Sequence, residues 1–268
     1  MATRPDSDDR PIGLLDSGIG GLTIWRAVRR LLPQESLVYA ADQAYFPYGD
    51  KPDDVLRRRA LLVSGRLIEM GAKLIVVACN TASVQALADL RAAYPMTPFV
   101  GVVPVIKTLS RVTKTGVIAV LCTPSTAQSA YIRMLAGQFA ADKRVLVIEC
   151  PGLANRLEAG ELRSPATRAL LERLLRPVSD VRADTLGLGS THYPLVKGAI
   201  KRILGPGVRV YEPSRPVARR VRQVLAEMGA LSGQEAPSYE FYTTGRPERL
   251  RAIVEKLLRL PEARVRRL

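Results

Sequence analysis

Two stretches of this chain read as one device used twice, and they differ at the atom best suited to chemistry. The first is Lys73-Leu74-Ile75-Val76-Val77-Ala78-Cys79-Asn80-Thr81, and the second is Asp184-Thr185-Leu186-Gly187-Leu188-Gly189-Ser190-Thr191-His192-Tyr193-Pro194. In each, a short apolar run of strand type ends at a small, nucleophile-sized residue, followed by Asn-Thr or Thr-His and a helical pattern. A thiol, Cys79, and a hydroxyl, Ser190, therefore occupy equivalent places. A thiol at a helix start is expected to ionise below its ordinary pKa of about 8.5, so that part of it is thiolate near neutrality, able to act as a nucleophile or as a base. Two thiols on opposite faces of one substrate would let one remove a proton from carbon while the other delivers a proton from behind. That inverts a stereocentre without a cofactor. Taken alone, Cys79 could equally be a buried strand-end thiol packing as a small hydrophobe.

The elements that must position these groups alternate between strand and helix, the pattern of a parallel α/β sheet. Strands are expected at 12–15, 37–41, 99–102, 116–121, 145–149 and 208–211, and in the runs ending at Cys79 and Ser190. Helices are expected at 22–32, 52–70 and 82–94, from Pro104 to Arg111, from Ala127, twice across 153–176, and at 195–204. Two further helical stretches flank Tyr239 to Thr243. The pattern predicts an α/β fold of two pseudo-symmetric lobes, each a mainly parallel sheet flanked by helices, with the active site in the cleft between them. Residues 1–103 with 214–268 form the first lobe and residues 104–213 the second. Ligands of open α/β sheets bind beyond the carboxyl ends of the strands. Four such ends carry small polar residues: Asp16-Ser17, Cys79-Asn80-Thr81, Thr123 with Thr126, and Ser190-Thr191-His192. Helix N-termini there would offer N–H groups and positive dipole ends to a carboxylate.

Composition narrows the classes without choosing one. The 268 residues, 47% hydrophobic and 24% charged, suffice for a sizeable core. The first ten residues are polar and mixed in charge, unlike a secretory signal, and no apolar run is long enough to span a bilayer, so a cytoplasmic protein without membrane contact is expected. Three cysteines without metal-type spacing and a single histidine argue for reduced thiols and against a metal site. The net charge of +15 raises nucleic acid as a partner. The basic residues are dispersed over helical surfaces without aromatic interleaving or a reading-helix motif, which disfavours it and leaves a solvated Arg-rich face attractive to small anions. A homodimer stays open.

Other residues carry two readings each. Asp16 could cap the helix after Gly21 or belong to the site. His192 could be core or site, and Tyr48 core packing or part of an exposed Pro-Tyr-Gly turn. The glycines from Gly18 to Gly21 lack the Gly-Lys-Ser/Thr ending of a phosphate loop, which argues against a nucleotide. Cys122 and Cys150 read as packing residues.

Four motifs in order carry a family resemblance: Gly13 to Thr23 around Asp16-Ser17-Gly18-Ile19-Gly20-Gly21, Pro47-Tyr48-Gly49, Ala78-Cys79-Asn80-Thr81-Ala82, and Thr191-His192-Tyr193-Pro194-Leu195. Together they resemble the glutamate racemases of the cofactor-independent Asp/Glu racemase superfamily, in register from about Ile12 to about Arg222 and including Thr126, Cys150-Pro151 and Glu158. Histidine after Ser190-Thr191 resembles the glutamate type rather than the aspartate type. The resemblance implies interconversion of L- and D-glutamate by two-base proton transfer, with no cofactor, glutamate as the small-molecule substrate, and D-glutamate supplied to peptidoglycan in a bacterial cytoplasm. It implies that Cys79 acts on the D-enantiomer with Asp16 managing its proton, and that His192 and Glu158 assist the position held by Ser190. It also implies that Ser17, Tyr48, Gly49, Asn80, Thr81, Thr126 and Thr191, with Asp16 and His192, bind the substrate's carboxylates and ammonium group.

The chain departs from that pattern at one atom. The family's second catalytic residue is cysteine, and here it is Ser190. A hydroxyl ionises far less readily than a thiol and needs a neighbouring base, for which His192 is the candidate. The expectation is a racemase inactive or strongly impaired in this chain. A one-base decarboxylase or isomerase, or a non-catalytic binding or regulatory protein, stands as the alternative.

Overall fold

The structure, a computed structural model, describes residues 7–102 and 105–268. The expected polar start over residues 1–6 and the expected helix start at Pro104 lie outside the described residues. The chain divides into two compact units, Met1–Val102 with Ser214–Leu268, and Val103–Pro213.

The first unit begins β1 (Ile12–Asp16), α1 (Leu22–Leu31), β2 (Leu37–Ala41), α2 (Asp53–Glu69), β3 (Leu74–Val77), α3 (Asn80–Ala93) and β4 (Phe99–Gly101). The second runs α4 (Ile106–Val112), β5 (Val117–Cys122), α5 (Pro124–Gln128), α6 (Ala130–Ala140), β6 (Arg144–Glu149), α7 (Leu153–Glu158), α8 (Pro165–Asp180), β7 (Thr185–Gly189), α9 (Lys197–Leu204) and β8 (Arg209–Tyr211). The chain then returns to the first unit with α10 (Ser214–Glu227), β9 (Tyr239–Thr243), α11 (Pro247–Leu258) and β10 (Val265–Arg267).

All described strand pairs are parallel, in the orders β10-β9-β2-β1-β3-β4 and β6-β5-β7-β8. The winding β2-β1-β3-β4 of the first unit is repeated by β6-β5-β7-β8 of the second, and β9 and β10 extend the first sheet beyond β2. Cys79 follows β3 and Ser190 follows β7, the third strand of each set, so their equivalence is topological as well as sequential. Strands such as Leu74–Val77 are buried at every residue, as parallel strands covered by helices on both faces must be.

Local chemistry sets the boundaries. Ser164 and Ser129 cap α8 and α6 by accepting from Thr167 N–H and Ile132 N–H, and Thr123 caps α5 by accepting from Thr126 N–H. Gly71, at φ +86°, closes α2 in the left-handed conformation that other residues adopt at a cost. Several boundaries differ from expectation. The helix after Cys79 starts at Asn80 rather than Ala82, because Cys79 itself takes the extended cap position. The helix expected to end at Arg176 continues through Pro177 to Asp180, where buried Val178 anchors its last turn. The helix expected from Leu195 starts with a tight turn over Tyr193–Val196.

In the first unit, Trp25 of α1 packs edge-on to Tyr239 at 5.3 Å and against Phe241 at 5.4 Å, covering one sheet face. Leu56, Val63 and Leu67 of α2 with Ala82, Ala86 and Leu90 of α3 cover the other, together with Tyr48 and Cys79. In the second unit, Ile106, Leu109, Ile132 and Leu135 lie against one side of the sheet, and Leu153, Leu157, Leu171, Leu175 and Ile200 against the other.

Candidate active site

The first unit gathers its polar residues at the carboxyl ends of three adjacent strands. Asp16 closes β1 and is fully buried. Its Oδ2 accepts from Gly21 N–H at 2.8 Å and from the Tyr39 hydroxyl at 3.4 Å. No larger residue fits at Gly21, because a Cβ there would lie 2.9 Å from the Asp16 Cβ and 3.0 Å from the Ala78 Cβ. The glycine cluster thus lets the turn after β1 close onto its own carboxylate. Next to it, Ser17 Oγ lies 3.7 Å from Cys79 Sγ.

Cys79 takes the N-cap position of α3, where the N–H groups of Ala82 and Ser17 and the Ser17 hydroxyl all favour thiolate. Burial outweighs them, and the Asp16 carboxylate adds to it, so the thiol is pushed up to about 12 rather than down. The expected depression of its pKa is therefore corrected: the helix start is present, but burial and the neighbouring Asp16 carboxylate outweigh it. Asn80 and Thr81 form the first turn of α3, both buried. Neither the nitrogen nor the oxygen of the Asn80 carboxamide is satisfied among the described residues, an arrangement that calls for a polar ligand.

Tyr48 and Gly49 follow β2 in a short turn over Tyr48–Asp50. Tyr48 is buried, and its hydroxyl donates to Asp42 Oδ2 at 2.7 Å. Burial and that carboxylate hold the phenol neutral, so the hydroxyl is committed to the protein and the backbone of the turn remains for a ligand.

The second unit presents a parallel arrangement at the ends of β5, β6 and β7. Ser190, Thr191 and His192 follow β7 and are all buried. His192 N–H donates to Ser190 Oγ at 3.4 Å, and His192 Nε2 lies 2.8 Å from Glu158 Oε2 at the end of α7. Both side chains of that pair are nearly inaccessible, so the imidazole's orientation is fixed by a buried carboxylate. Thr126, buried in the first turn of α5, has its hydroxyl bonded by that of Thr123 at 3.0 Å. Cys122 and Cys150 pack on opposite faces of this sheet with raised pKa values caused mainly by burial.

Asp16, Ser17, Tyr48, Gly49, Cys79, Asn80 and Thr81 thus fall together in the first unit, and Thr126, Glu158, Ser190, Thr191 and His192 in the second. Sequence reasoning missed Tyr39 and Asp42. Asp42 carried a signal, an acid shortly before the Pro-Tyr-Gly turn, but nothing in its spacing distinguished it from a solvated loop carboxylate. Among the described residues no cluster of His, Cys, Asp and Glu could hold a metal ion, and no helix is long and apolar enough to cross a membrane.

Residues 23–221 match the family described as Asp/Glu/Hydantoin racemase. A glutamate racemase of a Roseiflexus species is 45% identical over 254 residues, covering 94% of this chain and 93% of the relative. The crystal structure of a glutamate racemase from Bacillus anthracis superposes with a TM-score of 0.87 at 32% identity, covering 97% of each chain. That of the Escherichia coli glutamate racemase, in complex with L-glutamate and its activator, gives a TM-score of 0.87 at 31% identity, covering 97% of this chain and 98% of that one. With buried thiol and hydroxyl after the third strand of two equally wound sheets, and likeness at this level over nearly the whole length, the chain belongs to the Asp/Glu/hydantoin racemase family.

Proposed function

We propose that this chain is a cofactor-independent glutamate racemase by descent, in which Cys79 acts on the α-proton of D-glutamate and Ser190 leaves the L-directed half of the reaction strongly impaired. The observation that carries the reading is the start of α3: a buried thiol 3.7 Å from the Ser17 hydroxyl, beside a buried Asn80 carboxamide that no group among the described residues satisfies. Positive charge from a bound amino acid's ammonium group would favour thiolate there, and Asp16 is placed to accept or return the sulfur's proton. Removal of the α-proton forms the S–H bond and leaves the electron pair on the α-carbon, conjugated with the carboxylate. Completion requires a proton on the opposite face.

In the relatives' chemistry a thiol would give that proton. Here the group is Ser190, supported by His192 and Glu158, and the acidity gap between hydroxyl and thiol costs tenfold in rate for each 1.4 kcal/mol or so added to the barrier. Ser17, Asn80, Thr81, Thr126, Thr191 and the Tyr48–Gly49 backbone are assigned to the substrate's polar groups. Supply of D-glutamate for peptidoglycan in a bacterial cytoplasm is the role this activity would serve.

The test is α-hydrogen exchange in deuterium oxide, followed by NMR for each enantiomer. The native chain should exchange the α-proton of D-glutamate with little conversion to L-glutamate, and Ser190→Cys should restore conversion both ways. Equal, rapid turnover of both enantiomers by the native chain would remove the impairment. Exchange confined to D-glutamate and unimproved by Ser190→Cys would favour a one-base relative acting on another carboxylic acid.

A further inference from the structure

We infer that Asp42, clamped by Arg59, is a positioning residue that fixes the Tyr48–Gly49 turn for substrate binding; the inference rests on the glutamate chemistry proposed above. Asp42 follows β2 directly and is fully buried. Its carboxylate accepts from the Tyr48 hydroxyl at 2.7 Å, from Arg59 Nε at 2.9 Å and Nη2 at 2.7 Å, and from the Thr244 hydroxyl at 2.8 Å. These donors come from the turn itself, from α2, and from the residue after β9, so one carboxylate joins three parts of the unit.

A carboxylate removed from water at this cost is retained only where its lone pairs are satisfied and its charge is paired. Here both conditions hold. The two-pronged Arg59 contact restricts rotation of the carboxyl group as a single point charge would not. Arg59 is in turn held over the Tyr45 ring, 4.0 Å from its centroid, and Thr244 Oγ1 also accepts from Ala44 N–H at 3.1 Å. The loop from Asp42 to Tyr48 is therefore pinned at its start, its middle and its end. Tyr48 packs in the same core cluster as Cys79, so a shift of its ring would move the turn relative to the thiol. An apolar substitute at residue 42 could fill the space, but it could not specify which way the Tyr48 phenol and the adjoining backbone point.

The inference is tested with Tyr48→Phe, Asp42→Asn and the double variant, each in the full chain, by D-glutamate α-proton exchange and thermal melting. Tyr48→Phe keeps the ring and removes only the bond to Asp42, so it is informative even if Asp42→Asn fails to fold. Each single variant should raise KM for D-glutamate about tenfold with kcat within about threefold of the parent, and the double variant should add little, since the two act through one contact. An unchanged KM with a lowered melting temperature would show a purely structural network and overturn the inference, as would full additivity. A parent chain that neither exchanges nor binds D-glutamate would instead overturn the proposed function, and this inference with it.

Discussion

Ser17 Oγ sits 3.7 Å from Cys79 Sγ, while the carboxylate of the neighbouring Asp16 raises the pKa of the same thiol that Ser17 lowers. Two adjacent residues on one turn therefore pull the sulfur's ionisation in opposite directions, with burial the largest influence of all. The signs of two substitutions follow. Asp16→Asn removes a negative charge and should shift Cys79 ionisation to lower pH; Ser17→Ala removes a donor to the thiolate and should shift it higher. The check is the pH profile of Cys79 alkylation by iodoacetamide, read by peptide mass spectrometry up to about pH 11, because only thiolate reacts at an appreciable rate. The reverse ordering of the two variants would contradict this account of the site.

The His192–Glu158 contact allows the two enantiomers to be separated. On the proposed roles, both residues serve the face on which Ser190 stands, and Cys79 serves the other. In a Ser190→Cys background, Glu158→Gln and His192→Asn should each lower α-proton exchange of L-glutamate by a factor of about 10² to 10⁴, the usual worth of general acid–base assistance. Exchange of D-glutamate should stay within about threefold. Equal losses on both enantiomers would show that the pair supports binding generally.

The strand-helix alternation and the placement of Asp16, Cys79 and Ser190 at strand ends were legible because buried parallel strands are written as continuous apolar runs with sharp ends. What escaped the sequence was what depends on distant partners. The edge strand β10, with Arg266 and Arg267 exposed, has too few apolar residues to register as a strand and exists through its pairing with β9. Asp42 looks like any loop acid until α2 brings Arg59 to it. The ionisation of Cys79 runs opposite to what its helix start alone implies, because a helix start is visible in sequence and desolvation is not.

Gly189, immediately before Ser190, tests how tightly the second sheet sets that hydroxyl. A Cβ there would lie 2.7 Å from the Leu121 carbonyl oxygen and 2.9 Å from Cys122 Sγ. The first of these is strand backbone and cannot rotate away. Gly189→Ala should therefore cost about 1–3 kcal/mol in stability, in the range of other overpacked cores. Gly137, inside α6 with open space within 4 Å of where a Cβ would stand, is the control. Gly137→Ala should be stabilising by about 0.5–1 kcal/mol. Urea unfolding of the two variants beside the parent decides, and a neutral Gly189→Ala would show that the strands can separate at little cost.

At the opposite end of the first sheet, Lys73 and Glu35 form an ion pair at 2.7 Å with side chains 0% and 2% exposed. Lys73 Nζ also donates to the Ala230 carbonyl at 2.8 Å and to that of Asp8, and Glu35 Oε1 accepts from Ser232 N–H at 2.9 Å. The pair thus ties the segment before β1 and the segment before β9 to the start of β3. Lys73→Met would leave a buried carboxylate without its counter-charge, and should cost about 3–5 kcal/mol. Adding Glu35→Leu removes that stranded charge and should recover part of the loss, as expected for coupled neighbours. Recovery stays incomplete because the Ala230 and Asp8 carbonyls and the Ser232 N–H lose their partners in the double variant. Urea unfolding midpoints of the two variants provide the measurement, and a double variant less stable than Lys73→Met alone would show that Glu35 is satisfied without the lysine.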